Sequence, residues 1–484
     1  MSVKQHIRNL AGESLVYGLS GIITRFISVF LFPLFTRALT PHDYGSISML
    51  NSIYFVVNII TILGLDSATF RWYYNTDNEH QRRQSLATWF VTELGMSMMF
   101  AMVCFAFNDS LELFFLNEVS GHHYFFFMGS SLVLNVIPSL AANYFRIRRK
   151  PVSSVSYSLF TSVVNITANI ILVIYLKQGV KGILLAQVIS TTAGSIAGLL
   201  SFGKWLIPSN ANFDLLKQML KYGIPLMPAG LSATVTVLIT NFLIQKYTST
   251  AEVGFYQVAT TISSGLALFT AAFAQAWSPF SLSIMEHKDS DSIYTMAFRL
   301  YFIIYTSLAL LLSLFAREVI LVLATPVYLP SAFITGILTF SSFFGSLTVI
   351  AFTGLSIKKR TSGYALVSVI GSFTTVLVLF FTVPIFGKTG AALCIMLSQL
   401  IVPVYLFYSS HKVHPIAFSF RFGILIVAVS FIIFLIGTEV EFQSELLTIG
   451  FKSALVIIFL ITLSITNKGL AARFYGAIKR ALNY

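Results

Sequence analysis

Charge is scarce in this chain. Asp, Glu, Lys and Arg make up 10% of its 484 residues, where a soluble domain carries about 25%. With 56% hydrophobic residues, it holds more apolar surface than one aqueous core could hide, which leaves the bilayer as its solvent. Cysteine is nearly absent. Cys104 and Cys394 both lie within apolar runs, which excludes a disulfide framework and a zinc site. The histidines fall in loops or at helix ends, and His411 with His414 lacks further ligands, so no metal centre is expected. Gly198, Gly203 and Lys204 spell part of a phosphate loop. However, Trp205 stands where Ser or Thr would hold magnesium, and no strand precedes the segment. No nucleophile elbow or paired carboxylates stand out, so no catalytic residue is assigned and the chain is not read as an enzyme. Met1 to Glu13 is polar, and the apolar stretch after it has no small-residue cleavage site. It reads as an uncleaved first helix.

What the chain has is long apolar runs. About 20 apolar residues cross the hydrocarbon core. Fourteen such runs fall near 14–37, 44–66, 86–107, 123–145, 153–176, 180–203, 222–246, 253–277, 294–315, 331–355, 362–385, 390–410, 417–436 and 446–466. With the N-terminus in the cytoplasm, inside segments hold 23 of the 31 basic residues, outside segments hold seven, and Arg25 is left within a span. Basic loops resist translocation, so this bias orients the chain with both termini cytoplasmic. The net charge of +13 is therefore topological, with some attraction to anionic headgroups, and does not signal nucleic-acid binding.

The chain also repeats itself. Arg37, Asp43 and Gly45 recur as Lys246, Glu252 and Gly254, each 209 positions later. Arg148, Arg149 and Lys150 recur as Lys358, Lys359 and Arg360 at an offset of 210, and Gly179 and Gly182 as Gly387 and Gly390 at 208. Spans one to six thus match spans seven to twelve. Six is even, so the copies share an orientation, a usual build for a secondary transporter. The expected fold is an all-α polytopic membrane protein with about 14 transmembrane helices, arranged as two parallel six-helix repeats plus two extra C-terminal helices. The expected parts are an N-terminal lobe over 1–204, a C-terminal lobe over 205–412, and an appendage with a basic tail over 413–484.

Polar groups within spans mark the candidate site. Arg25 lies near mid-depth of the first span, where it costs roughly 3 kcal/mol and needs a wet cavity or a partner. Tyr17, Ser20, Thr24 and Ser28 form a polar stripe beside it. Asn51, Tyr54, Asn58 and Thr61 do so on the second span, Ser232, Thr236 and Thr240 on the seventh, and Gln257, Thr261 and Ser264 on the eighth. Such groups also serve as bonds between packed helices. Glu93 is the clearest acid within a span and could pair with Arg25, bind a coupling proton, or simply reach headgroup water. Asp66, Arg71 and Arg299 sit at the inner boundary, where long side chains snorkel. The seventh span has no charge matching Arg25.

Several segments resemble the polysaccharide-transport branch of the multidrug/oligosaccharidyl-lipid/polysaccharide (MOP) exporter superfamily, the Wzx-type flippases related to MATE exporters. They are Leu39-Thr40-Pro41-His42-Asp43-Tyr44-Gly45, Leu63-Gly64-Leu65, Leu220-Lys221-Tyr222-Gly223-Ile224-Pro225-Leu226-Met227-Pro228 and Glu252-Val253-Gly254-Phe255-Tyr256. The resemblance implies two lobes around a cavity lined by spans one, two, seven and eight. It implies flipping, by alternating access, of undecaprenyl-diphosphate-linked glycan across a bacterial inner membrane for a surface polysaccharide such as the O-antigen of lipopolysaccharide. A polymerase and a chain-length regulator would be partners, and no cofactor is expected. Arg25 suits a diphosphate, and Asn51, Asn58, Asn241, Gln245 and Gln257 suit sugars. Coupling to a proton or to sodium stays open, because no cluster of buried carboxylates appears in the N-terminal lobe; Glu93 is the candidate. A MATE-like ion-coupled drug or cation antiporter is the rival reading, and would be expected to carry buried acids.

Overall fold

The computed structural model describes residues 31–287, 289–358, 362–416, 418–440, 442–467, 469, 472 and 476. Among them there are helices and turns and no strand. Among the described residues, twelve helices are long and apolar enough to cross a membrane. The count reconciles with fourteen. The first expected span lies mostly outside the described residues, and spans eleven and twelve run together as Gly363–Val413. The other eleven expected spans each coincide with one of these helices. Leu200, Phe381 and Leu446 are 80%, 73% and 81% exposed, as lipid-facing side chains should be. The protein is a multi-pass membrane protein.

The repeat is visible in the backbone. Thr40 caps the helix Pro41–Ile62: its hydroxyl accepts from the Asp43 N–H at 3.2 Å while the Asp43 carboxylate accepts from the Thr40 N–H at 3.0 Å. In the second copy Ser249 Oγ accepts from the Glu252 N–H at 3.3 Å, opening Thr250–Ser263. Gly179 (φ 55°) and Gly387 (φ 54°) occupy matching left-handed positions, which glycine adopts without a Cβ penalty. At Gly179 the chain reverses between Pro151–Tyr175 and Gly179–Phe202. At Gly387 it breaks the otherwise continuous Ser362–Ser398.

The chain forms two compact units, Met1–Gly254 and Phe255–Tyr484. In the first, Trp89, Leu140, Tyr144 and Met219 anchor one apolar core, and Met49, Tyr54, Phe125 and Leu184 another. Helix Met227–Tyr247 packs along Pro41–Ile62 in this unit. Gly45 and Gly254 meet there backbone to backbone. A Cβ on Gly45 would lie 1.9 Å from the Thr250 carbonyl oxygen, and one on Gly254 would lie 1.9 Å from that of Pro41.

In the second unit, Phe298, Tyr301, Tyr305, Phe343 and Phe407 form the main core. The C-terminal pair, Phe420–Glu439 and Glu445–Thr466, packs against Ser290–Leu314, and Lys452 ties it to Ala316–Leu323. The sequence layout puts Lys452 in an outside segment. It lies within Glu445–Thr466, 4% exposed, and its Nζ donates to Glu318 Oε1 at 2.7 Å. A buried cation needs such a partner.

Candidate functional site

Arg25 and its stripe Tyr17, Ser20, Thr24 and Ser28 lie outside the described residues. Asn51 and Asn58 are half-buried on Pro41–Ile62. Asn241 and Gln245, on Met227–Tyr247, are 1% and 3% exposed. Asn241 Nδ2 donates to Ser48 Oγ at 3.1 Å, and Gln245 Nε2 donates to Thr250 Oγ1 at 3.2 Å. These two bonds flank the Gly45–Gly254 contact, so both amides hold helices together here. Gln257 is half-buried on Thr250–Ser263, in the second unit.

The hydroxyl stripes mostly satisfy themselves. Thr61, Ser232, Thr236, Thr240 and Thr261 each donate to a carbonyl three or four residues back in their own helix, and Ser264, just past its helix, donates to that of Thr261. This back-bonding lets a hydroxyl face an apolar neighbour without an unmet donor.

Among the described residues of the first unit, two carboxyls are buried, and they contrast. Glu112 was not singled out from sequence, because it falls in what reads as a loop. It lies in Asn108–Leu116, and its carboxylate accepts from Ser120 N–H and Oγ at 2.8 Å and from Tyr124 N–H at 2.7 Å. It organises that connection. Glu93 is 1% exposed, and its Oε2 has no hydrogen-bond partner. Trp89 and Ser139 adjoin its carboxyl, and Asp66 acts on it electrostatically. Tyr54 and Gln187 lie close to it. A bare buried oxygen costs of order 1–3 kcal/mol, and such groups inside membranes mark ion or substrate handling. Gln187, a lone amide in the apolar run 179–202, was overlooked in the sequence and is the signal that could have pointed to this nook.

Each unit also has a pocket. In the first it measures about 470 Å³ and is lined by Ser67, Phe70, Arg71, Tyr74, Asn75 and Tyr222. In the second it measures about 320 Å³, with Trp277, Ser281, Thr353, Ser356 and Tyr364 in its wall. There the Trp277 Nε1–H donates to Thr353 Oγ1 at 3.0 Å. Adding the repeat offset of 210 to Ser67 and Arg71 gives Trp277 and Ser281, so both copies place a pocket at matching elements. Of these two pockets, the first alone has a cation in its wall.

A duplicated, all-helical, multi-pass bundle of this kind is the fold of MOP-superfamily transporters. The lipid II flippase MurJ, solved in an inward closed conformation, matches with a TM-score of 0.72 at 14% identity over 95% of this chain and 100% of that chain. An inward-facing multidrug resistance MATE family transporter of the MOP superfamily matches at 0.66 and 14% identity, over 80% of this chain and 94% of that one. A MATE structure in the straight conformation matches at 0.57 and 14% identity, over 84% of this chain and 95% of that one. The chain belongs to the polysaccharide biosynthesis protein family, whose profile matches residues 34–333. No curated protein matches it.

Proposed function

We propose that this protein is a flippase that moves undecaprenyl-diphosphate-linked oligosaccharide units from the cytoplasmic to the periplasmic leaflet of a bacterial inner membrane, for surface polysaccharide such as O-antigen. The observation that supports this most is a combination. A polysaccharide biosynthesis profile lies on a fold alike to a lipid II flippase along nearly the whole chain.

In this reading the lobes are 1–204 and 205–412, with 413–484 an appendage, and both termini are cytoplasmic. Unaided, a diphosphate and its sugars would cross hydrocarbon at prohibitive cost. Arg25 takes the diphosphate, since its fork bonds two oxygens at once. Asn51, Asn58 and Gln257 meet sugar hydroxyls. Asn241, bonded here to Ser48, turns to the cargo when Pro41–Ile62 parts from Met227–Tyr247, and Gln245 does so when its bond to Thr250 opens. Glu93 binds and releases the coupling proton or sodium ion. A polymerase and a chain-length regulator receive the product.

Deletion should trap lipid-linked units on the inner leaflet and remove the surface glycan, and wild type, but not Arg25→Ala or Glu93→Gln, should restore it. Full activity of both variants would refute the site. The likeness to MATE multidrug transporters favours one alternative, an ion-coupled cation antiporter. Resistance to cationic drugs, with normal surface glycan in the deletion strain, would favour it instead.

A further inference from the structure

By type and depth alone, Arg71 would snorkel to the inner boundary. The structure also stacks its guanidinium over the Tyr222 ring, 5.3 Å from the centroid. Trp72 meets the same ring edge-on at 6.0 Å. Phe70, a second residue of the pocket wall, carries the Arg146 guanidinium 5.7 Å from its ring centre. Tyr74, a third, is fixed because its hydroxyl donates to the Ile147 carbonyl. The neighbouring ion pairs use other cations: Arg82 with Asp77, and Arg83 with Glu79. Among the described residues no carboxylate lies within ion-pair distance of Arg71 or Arg146, and no acid lines the pocket. Two guanidinium groups are therefore held on aromatic faces with their hydrogen-bond donors uncommitted to acids.

Stacking on an aromatic ring orients a guanidinium while leaving its fork free for phosphate oxygens. The remaining wall, with Asn75, Ser67 and two tyrosines, combines polar donors with flat apolar faces of the kind that sugars and isoprenoid chains contact. At about 470 Å³ the pocket is shallow and open to the surface, not an enclosed cleft. The basic-residue bias puts this end in the cytoplasm, the leaflet on which the cargo would start.

We propose that the pocket around Arg71 and Tyr222 is a loading site for the diphosphate headgroup of an isoprenoid lipid on the cytoplasmic leaflet. Arg71 in the wall, with Arg146 one ring away across Phe70, puts two positive charges near the bound headgroup, which favours a diphosphate over the single charge of a phosphodiester. The matching pocket of the second copy, with Ser281 where Arg71 stands, takes no part in holding the anion. This inference rests on the transport reading above and adds an entry step to it.

The test is retention of undecaprenyl diphosphate by the purified full-length protein in phosphatidylcholine nanodiscs, read by native mass spectrometry. Wild type should bind it. Arg71→Gln and Arg146→Gln should each weaken binding about tenfold, the scale of one charge-assisted hydrogen bond. Arg71 is solvent-exposed, so its variant should fold, and the Arg146 variant gives an independent reading. Neither phosphatidylglycerol nor inorganic pyrophosphate should displace the probe at equal concentration. Wild-type binding by both variants would overturn the loading site and leave the transport reading intact. Displacement by phosphatidylglycerol would overturn the choice of a diphosphate lipid, and displacement by pyrophosphate the need for an isoprenoid. Failure of the wild type to bind would sink the loading site and the transport reading together.

Discussion

Replacing Gly45 with alanine probes the contact on which the first unit closes. The added Cβ would lie 1.9 Å from the Thr250 carbonyl oxygen, whereas a carbon and a carbonyl oxygen normally stay about 3.3 Å apart. The helices must therefore part by about 1.4 Å at this point, because backbone atoms cannot swing aside as a side chain does. Overpacking of this kind costs about 1–3 kcal/mol, or roughly 5- to 150-fold in an equilibrium between conformers. Ser46 provides a reporter next door. It is 1% exposed and its hydroxyl has no hydrogen-bond partner, so Ser46→Cys removes no bond. Maleimide labelling of that cysteine should accelerate by roughly 5- to 150-fold when Gly45→Ala is added. Gly254→Ala should do the same, because its Cβ would meet the Pro41 carbonyl oxygen at the same 1.9 Å. The two effects should not add, since both break one contact. Unchanged labelling together with an unchanged melting temperature would refute the idea that these glycines set the helix separation.

Other outcomes follow from single contacts. Glu93→Gln keeps shape but removes the ionisable group, so it should abolish ion-dependent transport and leave thermal stability within about 1 kcal/mol; a Gln variant that still responds to an ion gradient would exclude Glu93 from coupling. Lys452→Ala strips the partner from Glu318, whose Oε2 is already without one. Breaking a buried pair costs about 3–5 kcal/mol. Partial exposure of Glu318, at 20% of its side chain, lowers this to about 2–3 kcal/mol. The loss would appear as a lower melting temperature, and Lys452→Met should recover part of it if packing also matters. Glu112→Ala unpairs the Ser120 and Tyr124 N–H groups at once and should cost about 3 kcal/mol, read as protease cleavage near residues 117–123 that the wild type resists.

The span count, the repeat and the membrane class were legible in the chain because each depends on local composition. A 20-residue apolar run must cross a bilayer wherever it packs. A duplicated motif shows itself position by position in residue type, as Thr40, Asp43 and Gly45 do against Ser249, Glu252 and Gly254. That Glu93 lies within a span was also legible, since an acid within an apolar run is conspicuous by type alone. Position in sequence could not say that Asn241 is bonded to Ser48, 193 residues away, or that Lys452 reaches Glu318 across 134. Whether a polar side chain binds cargo or another helix depends on what lies opposite it, and no local pattern encodes that. The same holds for Arg71. Its type and depth suggest only a cation at a boundary, and the neighbouring helix supplied the ring of Tyr222 that turns it toward a pocket. Local composition fixed which segments enter the membrane; long-range packing decided which of their polar groups remain available for chemistry.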